Sequence, residues 1–167
     1  NTIMSVYKAL IVDDEYWARV SLRDKLSEFS EIEIIGEAQN IPEAKSILKE
    51  NKPEIIFLDI QLKDGSGFDL LNQVDYKGKV IFVTAYDEYA IRAFEINALD
   101  YIMKPISAKR IEAAIRRINY TNSRPDESYD KYYIDDRIMV TFRSFIHFIK
   151  ISEIVLISAS QDYTQIT

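Results

Sequence analysis

One short apolar run constrains this chain more than any other feature of its sequence. Ile55 to Leu58 are all large and apolar, Pro53 precedes the run, and Asp59 follows it directly. A run of this length between turn-forming residues predicts a strand that is buried on both faces, as in a parallel sheet. The acid after it lies at the carboxyl end of the strand, which is the edge where open α/β sheets bind ligands. Asp59 is therefore the first candidate for a functional residue.

Residues 7–118 repeat this arrangement of strand and helix, and residues 1–6 lie outside the predicted fold. Four further runs rich in apolar residues predict strands, at 9–12, 32–36, 80–83 and 101–103. Between the runs, apolar residues recur at the spacing of a helix face. Five strands that alternate with five helices predict an α/β fold, with one parallel, doubly wound sheet and helices on both of its faces.

The last three helices are predicted in more detail. The third should bury Phe68, Leu71 and Val74. The fourth should span 86–96 and carry Tyr89, Ala90, Ala93 and Phe94. Ser107 is placed to cap the fifth helix, whose apolar stripe is Ile111, Ala114, Ile115 and Ile118. Arg116 and Arg117 are predicted to be a solvated helix end, favoured by the helix dipole.

Polar side chains follow four of the five predicted strands. They are Asp13 and Asp14 after the first strand, Asp59 after the third, Thr84 after the fourth and Lys104 after the fifth. Because the carboxyl ends of parallel strands lie along one edge of the sheet, we expect these residues to converge in space.

Three carboxylates brought together repel one another, so one must take a proton or a cation must neutralise them. With oxygen ligands only, the natural cation is Mg²⁺, which often shares a phosphate oxygen. Lys104 is a point cation suited to a phosphoryl oxygen, and Thr84 offers a hydroxyl donor. A carboxylate can itself be a nucleophile and form an acyl phosphate. The set of residue types therefore predicts a site for a phosphoryl group.

Together these residues resemble the receiver domain of bacterial response regulators, with Pro105 after Lys104 and Tyr101 three residues before it. The resemblance covers about residues 7–118. It implies the flavodoxin-like strand order 2-1-3-4-5. It also implies that Asp59 is the phosphoacceptor of a two-component phosphorelay and that a sensor histidine kinase is the donor.

The resemblance further implies a ligand set for Mg²⁺. Asp14 and Asp59 would bind the ion directly, and the backbone carbonyl of Gln61 would be the third protein ligand. Asp13 would act through a water molecule.

It implies a switch as well. Lys104 and Thr84 would hold the phosphoryl group, and Thr84 and Tyr101 would be the pair that moves on phosphorylation. The chain would then be a phosphoacceptor switch with slow self-catalysed chemistry and not a turnover enzyme. Receivers of this kind form homodimers through the fourth helix, the fifth strand and the fifth helix, so a homodimer is expected here.

The stretch from Thr84 to Pro105 resembles receivers that are joined to LytTR-type DNA-binding domains. Residues 119–131 are polar, contain one proline and predict a linker. Residues 132–167 predict short β-strands, and they resemble the N-terminal part of a LytTR-type β domain. The resemblance implies a transcription regulator that contacts DNA only through the full-length β domain.

Composition limits the classes of function. A net charge of −6 argues against a generally nucleic-acid-binding surface. No run reaches the roughly 20 apolar residues of a membrane helix. One histidine and no cysteine argue against a zinc site, and the lack of cysteine fits a cytoplasmic protein.

Two other functions share the predicted topology. An aspartyl-nucleophile phosphatase typically carries a second Asp two residues after the first, and Gln61 stands at that position. A flavin-binding protein would need a phosphate-cradling loop after the first strand, where the sequence has Asp13, Asp14 and Glu15 instead.

Overall fold

The computed structural model describes residues 6–123, 137–142, 145–150, 157–160 and 163–166. The chain divides into two units, Asn1–Ile118 and Asn119–Thr167. The strands up to the last helix are β1 (Tyr7–Val12), β2 (Ile32–Ala38), β3 (Ile55–Leu58), β4 (Gln61–Leu62), β5 (Gly65–Ser66), β6 (Lys79–Thr84) and β7 (Asp100–Met103). The helices are α1 (Tyr16–Leu26), α2 (Ile41–Asn51), α3 (Gly67–Asn72), α4 (Ala90–Glu95) and α5 (Ala108–Ser123).

Five of these strands form one sheet in the order β2-β1-β3-β6-β7, and every neighbouring pair is parallel. This confirms the predicted fold class and strand order. The short strands β4 and β5 pair with each other in an antiparallel ladder that the sequence did not predict. They return the chain from the end of β3 to the start of α3.

The sheet has an apolar core on each face because successive strand residues point to opposite sides. On one face, Ile11 and Phe57 pack with residues of α1 and α5, including Leu22 and Ile115. On the other, alternate strand residues pack with α2, α3 and α4. The four side chains of β3 are at most 1% exposed, as expected for the central strand of a sheet covered on both faces.

The register of the sheet determines which residues meet at its carboxyl edge. Val12 of β1 lies opposite Leu58 of β3, and the Asp59 amide donates to the Val12 carbonyl at 2.8 Å. Asp13 and Asp59, each one residue further along its strand, are therefore neighbours across the ladder.

Local capping explains where several helices begin. The Asn40 side chain accepts from the Glu43 amide at the start of α2. Ser66 and Asp69 form a capping box at the start of α3. The Ser107 hydroxyl accepts from the Arg110 amide at 3.2 Å, which confirms its predicted capping role.

Two predicted helices are shorter than expected. The third ends at Asn72, so Val74 lies beyond it. Leu71 and Val74 both pack partly buried against the core, as predicted, and Leu70 is fully buried as well. The fourth begins at Ala90 instead of 86, and its Phe94 side chain is 69% exposed. Helical spacing misassigned Phe94, because apolar side chains also occur at exposed surfaces.

The C-terminal prediction needs one correction. Helix α5 continues to Ser123, so residues 119–123 of the predicted linker are helical. Residues 124–131 lie outside the described residues, as does most of the predicted strand at 154–157. The described part of 132–167 forms two antiparallel pairs, β8 (Arg137–Phe142) with β9 (Phe145–Lys150) and β10 (Ile157–Ser160) with β11 (Tyr163–Ile166).

Within the described ranges, no helix is both long enough and apolar enough to cross a bilayer.

Candidate functional site

The structure brings the predicted strand-end residues together at the carboxyl edge of the parallel sheet. Asp13 follows β1 and Asp59 follows β3, while Thr84 is the last residue of β6 and Lys104 follows β7. Asp13, Asp59 and Thr84 are 4%, 6% and 0% exposed. Polar side chains at this depth need partners, since unpaired buried charges are costly.

An acid cluster forms the centre of the site. Asp13, Asp14 and Asp59 each place a carboxylate oxygen within 4.8 Å of the others. Asp14 is half-buried. An oxygen-only donor set of this charge fits Mg²⁺ well and offers nothing to a metal that prefers nitrogen or sulfur ligands.

Lys104 bridges two of the acids. Its ammonium lies 2.8 Å from Asp13 Oδ2 and 2.8 Å from Asp59 Oδ2. Burial by itself would lower the pKa of Lys104, but the hydrogen bonds to the two carboxylates outweigh burial and the pKa is raised. Burial raises the pKa of Asp13, and the bond from Lys104 offsets this only in part. With three carboxylates around one ammonium, the site carries more negative charge than its lysine neutralises.

Tyr86 connects the predicted switch residues through its backbone. The Tyr86 amide donates to the Thr84 hydroxyl at 3.4 Å, and the Tyr86 carbonyl accepts from the Tyr101 hydroxyl. The Tyr101 ring packs near Phe82, with centroids 6.2 Å apart. Burial raises the pKa of Tyr101, so its hydroxyl stays protonated and able to donate. Thr84 and Tyr101 are thus joined by one short chain of hydrogen bonds.

The loop after Asp59 is held close to the site. The Gln61 amide donates to Asp59 Oδ1 at 3.3 Å, and Gln61 pairs with Ser66 across the β4–β5 ladder. A Cβ atom on Gly67 would lie 2.5 Å from the Asp59 carbonyl oxygen, so only glycine fits there. The role of the Gln61 carbonyl as a metal ligand stays a prediction.

The charged residues that support this site carry no signal in the sequence pattern. Arg19 contacts the Asp13 carbonyl oxygen at 2.7 Å and pairs with Glu37 at 3.4 Å. No local pattern marks this pairing, because Arg19 lies on α1 and Glu37 on β2. Helical spacing from Tyr16 shows only that Arg19 is one turn into α1.

Arg117 was wrongly predicted to be a solvated helix end. Its guanidinium lies 2.9 Å from the buried Asp100 carboxylate, which Arg110 also binds at 2.5 Å. Arg116 does lie at the surface, where it pairs with Glu112 on the same helix. The sequence signal that could have found Arg117 is weak, because it amounts to an acid before a strand and two arginines on the following helix.

Comparison with known proteins identifies the family. The family model described as "Response regulator receiver domain" matches residues 9–116 of this chain. The sensory transduction protein LytT of Bacillus anthracis is 46% identical over 113 residues, which are 66% of this chain and 46% of that protein. The transcriptional regulatory protein BtsR of Escherichia coli is 36% identical over 164 residues, which are 96% of this chain and 69% of that protein.

A solved structure agrees with these relatives. The response regulatory domain of mrkE from Klebsiella pneumoniae has a TM-score of 0.63 and 33% sequence identity, covering 68% of this chain and 96% of that one. The chain spans about half the length of the curated relatives that it matches. It covers 52% of an uncharacterized response regulatory protein of Vibrio cholerae and 46% of LytT. A convergent set of acids, a lysine and a threonine on this fold, together with these matches, shows that the chain belongs to the response regulator receiver family.

Proposed function

We propose that this chain is the input part of a two-component response regulator, in which Asp59 accepts a phosphoryl group from a sensor histidine kinase. The observation that carries the proposal is the position of Asp59. Its carboxylate lies at the end of the central strand, among two further acids and 2.8 Å from the Lys104 ammonium. A carboxylate in this setting can act as a nucleophile toward phosphorus.

The proposed transfer moves the phosphoryl group from a histidine nitrogen of the kinase to an oxygen of Asp59. A bond forms between an Asp59 oxygen and phosphorus as the bond from phosphorus to the donor's imidazole nitrogen breaks, and that nitrogen keeps the electron pair. Lys104 and the Thr84 hydroxyl would bind the non-bridging oxygens of the transferred group. The Lys104 ammonium is held by hydrogen bonds to Asp13 and Asp59, which it can exchange for bonds to phosphoryl oxygens. Positioning and charge neutralisation are what phosphoryl transfer chiefly requires.

Asp14, Asp59 and the Gln61 carbonyl would hold Mg²⁺, with Asp13 acting through water. When bound, the ion supplies positive charge that offsets the three acids and the incoming phosphoryl oxygens. The mutual distances of the carboxylate oxygens, all within 4.8 Å, support this ligand set.

Thr84 and Tyr101 would form the switch. If the Thr84 hydroxyl turns toward a phosphoryl group, the chain of contacts through the Tyr86 backbone changes at its first link. The same backbone segment accepts from the Tyr101 hydroxyl, so the change would reach β7. Phosphorylation at Asp59 would in this way be coupled to Tyr101 on β7, which pairs with the strand of Thr84.

The chain would act as a switch and not as a turnover enzyme, with self-phosphorylation and slow hydrolysis of the aspartyl phosphate as its chemistry. The phosphatase alternative is disfavoured because an exposed Gln61 replaces the second acid that such enzymes use. Family membership also points away from it.

For the output we propose a receiver over 7–118, a connection over 119–131 and, over 132–167, the N-terminal part of a LytTR-type β domain. Similarity to BtsR across 96% of this chain supports an assignment that includes the tail. DNA contact would need the full-length β domain. We expect the protein to act in the cytoplasm, because the relatives named as transcriptional regulators act where transcription takes place.

A homodimer would form through the face made by α4, β7 and α5. The apolar side chains that α4 leaves at the surface support this assignment. Phe94 is 69% exposed, Ile91 37%, and Ile96, just after the helix, 44%.

The decisive experiment is treatment of the chain with acetyl phosphate and Mg²⁺, followed by intact mass measurement. The wild-type protein should gain one phosphoryl group and Asp59→Asn should gain none. Asp75→Asn is the matched control, because Asp75 is an exposed acid paired with Lys77 away from the site. Equal labelling of the wild type and Asp59→Asn would overturn the assignment.

A further inference from the structure

Arg19 is a nearly buried cation that binds the backbone of the consecutive acids Asp13 and Asp14. Its side chain is 11% exposed, although it lies only in the first turns of α1. Nη1 donates to the Asp13 carbonyl oxygen at 2.7 Å, and Nε lies 3.4 Å from Glu37 Oε2 on β2. The guanidinium carbon also lies 5.7 Å from the centre of the Tyr16 ring. Three elements thus meet at one side chain.

The Asp13 carbonyl belongs to the peptide unit that joins Asp13 to Asp14. A peptide unit is planar, so the hydrogen bond from Arg19 to this oxygen restrains the whole unit, including the backbone nitrogen of Asp14. It thereby limits the direction in which the Asp14 side chain leaves the backbone. Asp13 is held at its other atoms too. Its amide donates to the Ala38 carbonyl at 3.0 Å and its Oδ1 accepts from the Glu15 amide at 2.8 Å.

Asp14 has no such direct support. Across the part of the chain that the structure describes, no hydrogen bond to its carboxylate is found, so its direction follows from the backbone on either side. The side chain that restrains this backbone from outside the loop is Arg19.

We infer that Arg19 is a positioning residue for the divalent-cation site. It does not touch the reacting atoms, and it orients the peptide that aims Asp14 at the other two acids. This inference rests on the proposed function, since it assumes that the acid cluster binds Mg²⁺. Residues that orient a metal ligand without touching the metal typically contribute about 10–100-fold to metal affinity.

Electrostatics alone gives the opposite expectation. Arg19 is a positive charge close to a cation site, and its removal would by itself make the site more negative and strengthen Mg²⁺ binding. Glu37 neutralises part of that charge, so the repulsion is small. The sign of the change in affinity therefore separates a positioning role from a mere charge effect.

The test is titration of the full 167-residue chain with Mg²⁺ by calorimetry, and in parallel by the fluorescence of Trp17, the single tryptophan. Arg19→Met keeps an apolar stem and should raise the Kd about tenfold, at the low end of the range for such residues. Arg23→Met is the matched control. Arg23 binds the same Glu37 at 2.7 Å but makes no contact with Asp13, and its Kd should stay at the wild-type value.

The outcomes are distinct. If the wild type does not bind Mg²⁺, the proposed function fails and the role of Arg19 fails with it. If the wild type binds and Arg19→Met binds equally or more tightly, the positioning role alone is overturned. If far-UV circular dichroism shows that Arg19→Met does not fold, Arg19→Lys decides the question. Lysine keeps the charge but lacks the fork that joins Glu37 to the carbonyl, so an unchanged Kd in that variant overturns the inference.

Discussion

The two ends of strand β7 each carry a buried charge cluster, and the clusters have opposite balance. At the carboxyl end, Lys104 contacts Asp13 and Asp59, and Asp14 completes a set of three acids. At the amino end, Asp100 is one acid bound by Arg110 and Arg117. In the first cluster three carboxylates surround one ammonium, whereas in the second two guanidinium groups bind one carboxylate.

This difference separates a site for chemistry from a site for stability. Asp100 is fully engaged, since it also accepts from the Tyr101 amide at 2.8 Å and binds Arg110 through both oxygens. It joins β7 to α5 and leaves no carboxylate oxygen for a ligand. The acid cluster leaves negative charge unpaired, and that residual charge is what an added cation or a phosphoryl transfer can use.

The largest expected effect is on the amino-end cluster. Asp100→Asn should lower the free energy of unfolding by about 3 kcal/mol, because it removes a buried carboxylate charge that both Arg110 and Arg117 bind. Urea unfolding followed by far-UV circular dichroism measures the change. Asp75→Asn, in an exposed ion pair, should change stability by less than about 1 kcal/mol. A loss no greater in Asp100→Asn than in this control would contradict the structural role.

Gly67→Ala should be the next most damaging change. The added Cβ would lie 2.5 Å from the Asp59 carbonyl oxygen and 2.9 Å from Leu58 Cγ, so the backbone carrying Asp59 must move. Overpacking of this kind costs about 1–3 kcal/mol. Labelling by acetyl phosphate should fall in parallel with stability. Gly36→Ala is the control, because its nearest neighbours would be two carbons of the Ile47 side chain at 3.2 Å and no backbone atom of the site; labelling should survive there.

Added Mg²⁺ should stabilise one cluster and not the other. At ten times its Kd, the ion should raise the free energy of unfolding by about 1.4 kcal/mol through mass action. Asp14→Asn should abolish this increment, whereas Asp100→Asn should retain it in full. The measurement is urea unfolding of each variant with Mg²⁺ and with a chelator. Loss of the increment in Asp100→Asn would show that the two clusters are not independent.

The smallest effect is a dependence of stability on pH. The pKa of Asp13 is raised by burial in the folded chain. A raised carboxyl pKa means that the stability which the group contributes is full below its unfolded pKa and is lost as the pH rises through the folded value. Without Mg²⁺, Asp13→Asn should therefore be more stable than the wild type at neutral pH, and the difference should vanish below about pH 4.

That comparison is read from thermal unfolding at several pH values in the presence of a chelator. A variant less stable than the wild type at neutral pH would mean that the Lys104 contact outweighs the burial of Asp13. Lys104 gives no competing signal in this range. Its raised pKa removes stability only in alkaline solution, where the ammonium loses its proton.

Local pattern was sufficient for the fold and for the residues at the centre of the site. A strand buried on both faces needs an unbroken apolar run, so the run from Ile55 to Leu58 predicted the central strand and Asp59 marked its end. The same reasoning located Asp13, Thr84 and Lys104, because parallel strands end on one edge of a sheet. Pattern was less reliable where few residues repeat, as in the six-residue helix α4 and its exposed Phe94.

The apolar run before Asp59 was therefore sufficient to locate the carboxyl edge of the sheet where the site lies. A strand that is buried on both faces requires consecutive apolar residues, and these can be read from the sequence. Only the tertiary structure decided which charges support that edge. Arg19 reaches Glu37 and Asp13, and Asp100 reaches Arg110 and Arg117, across gaps in sequence that no periodicity spans. Ion pairs depend on distances between atoms, and those distances exist only after the sheet and its helices have packed.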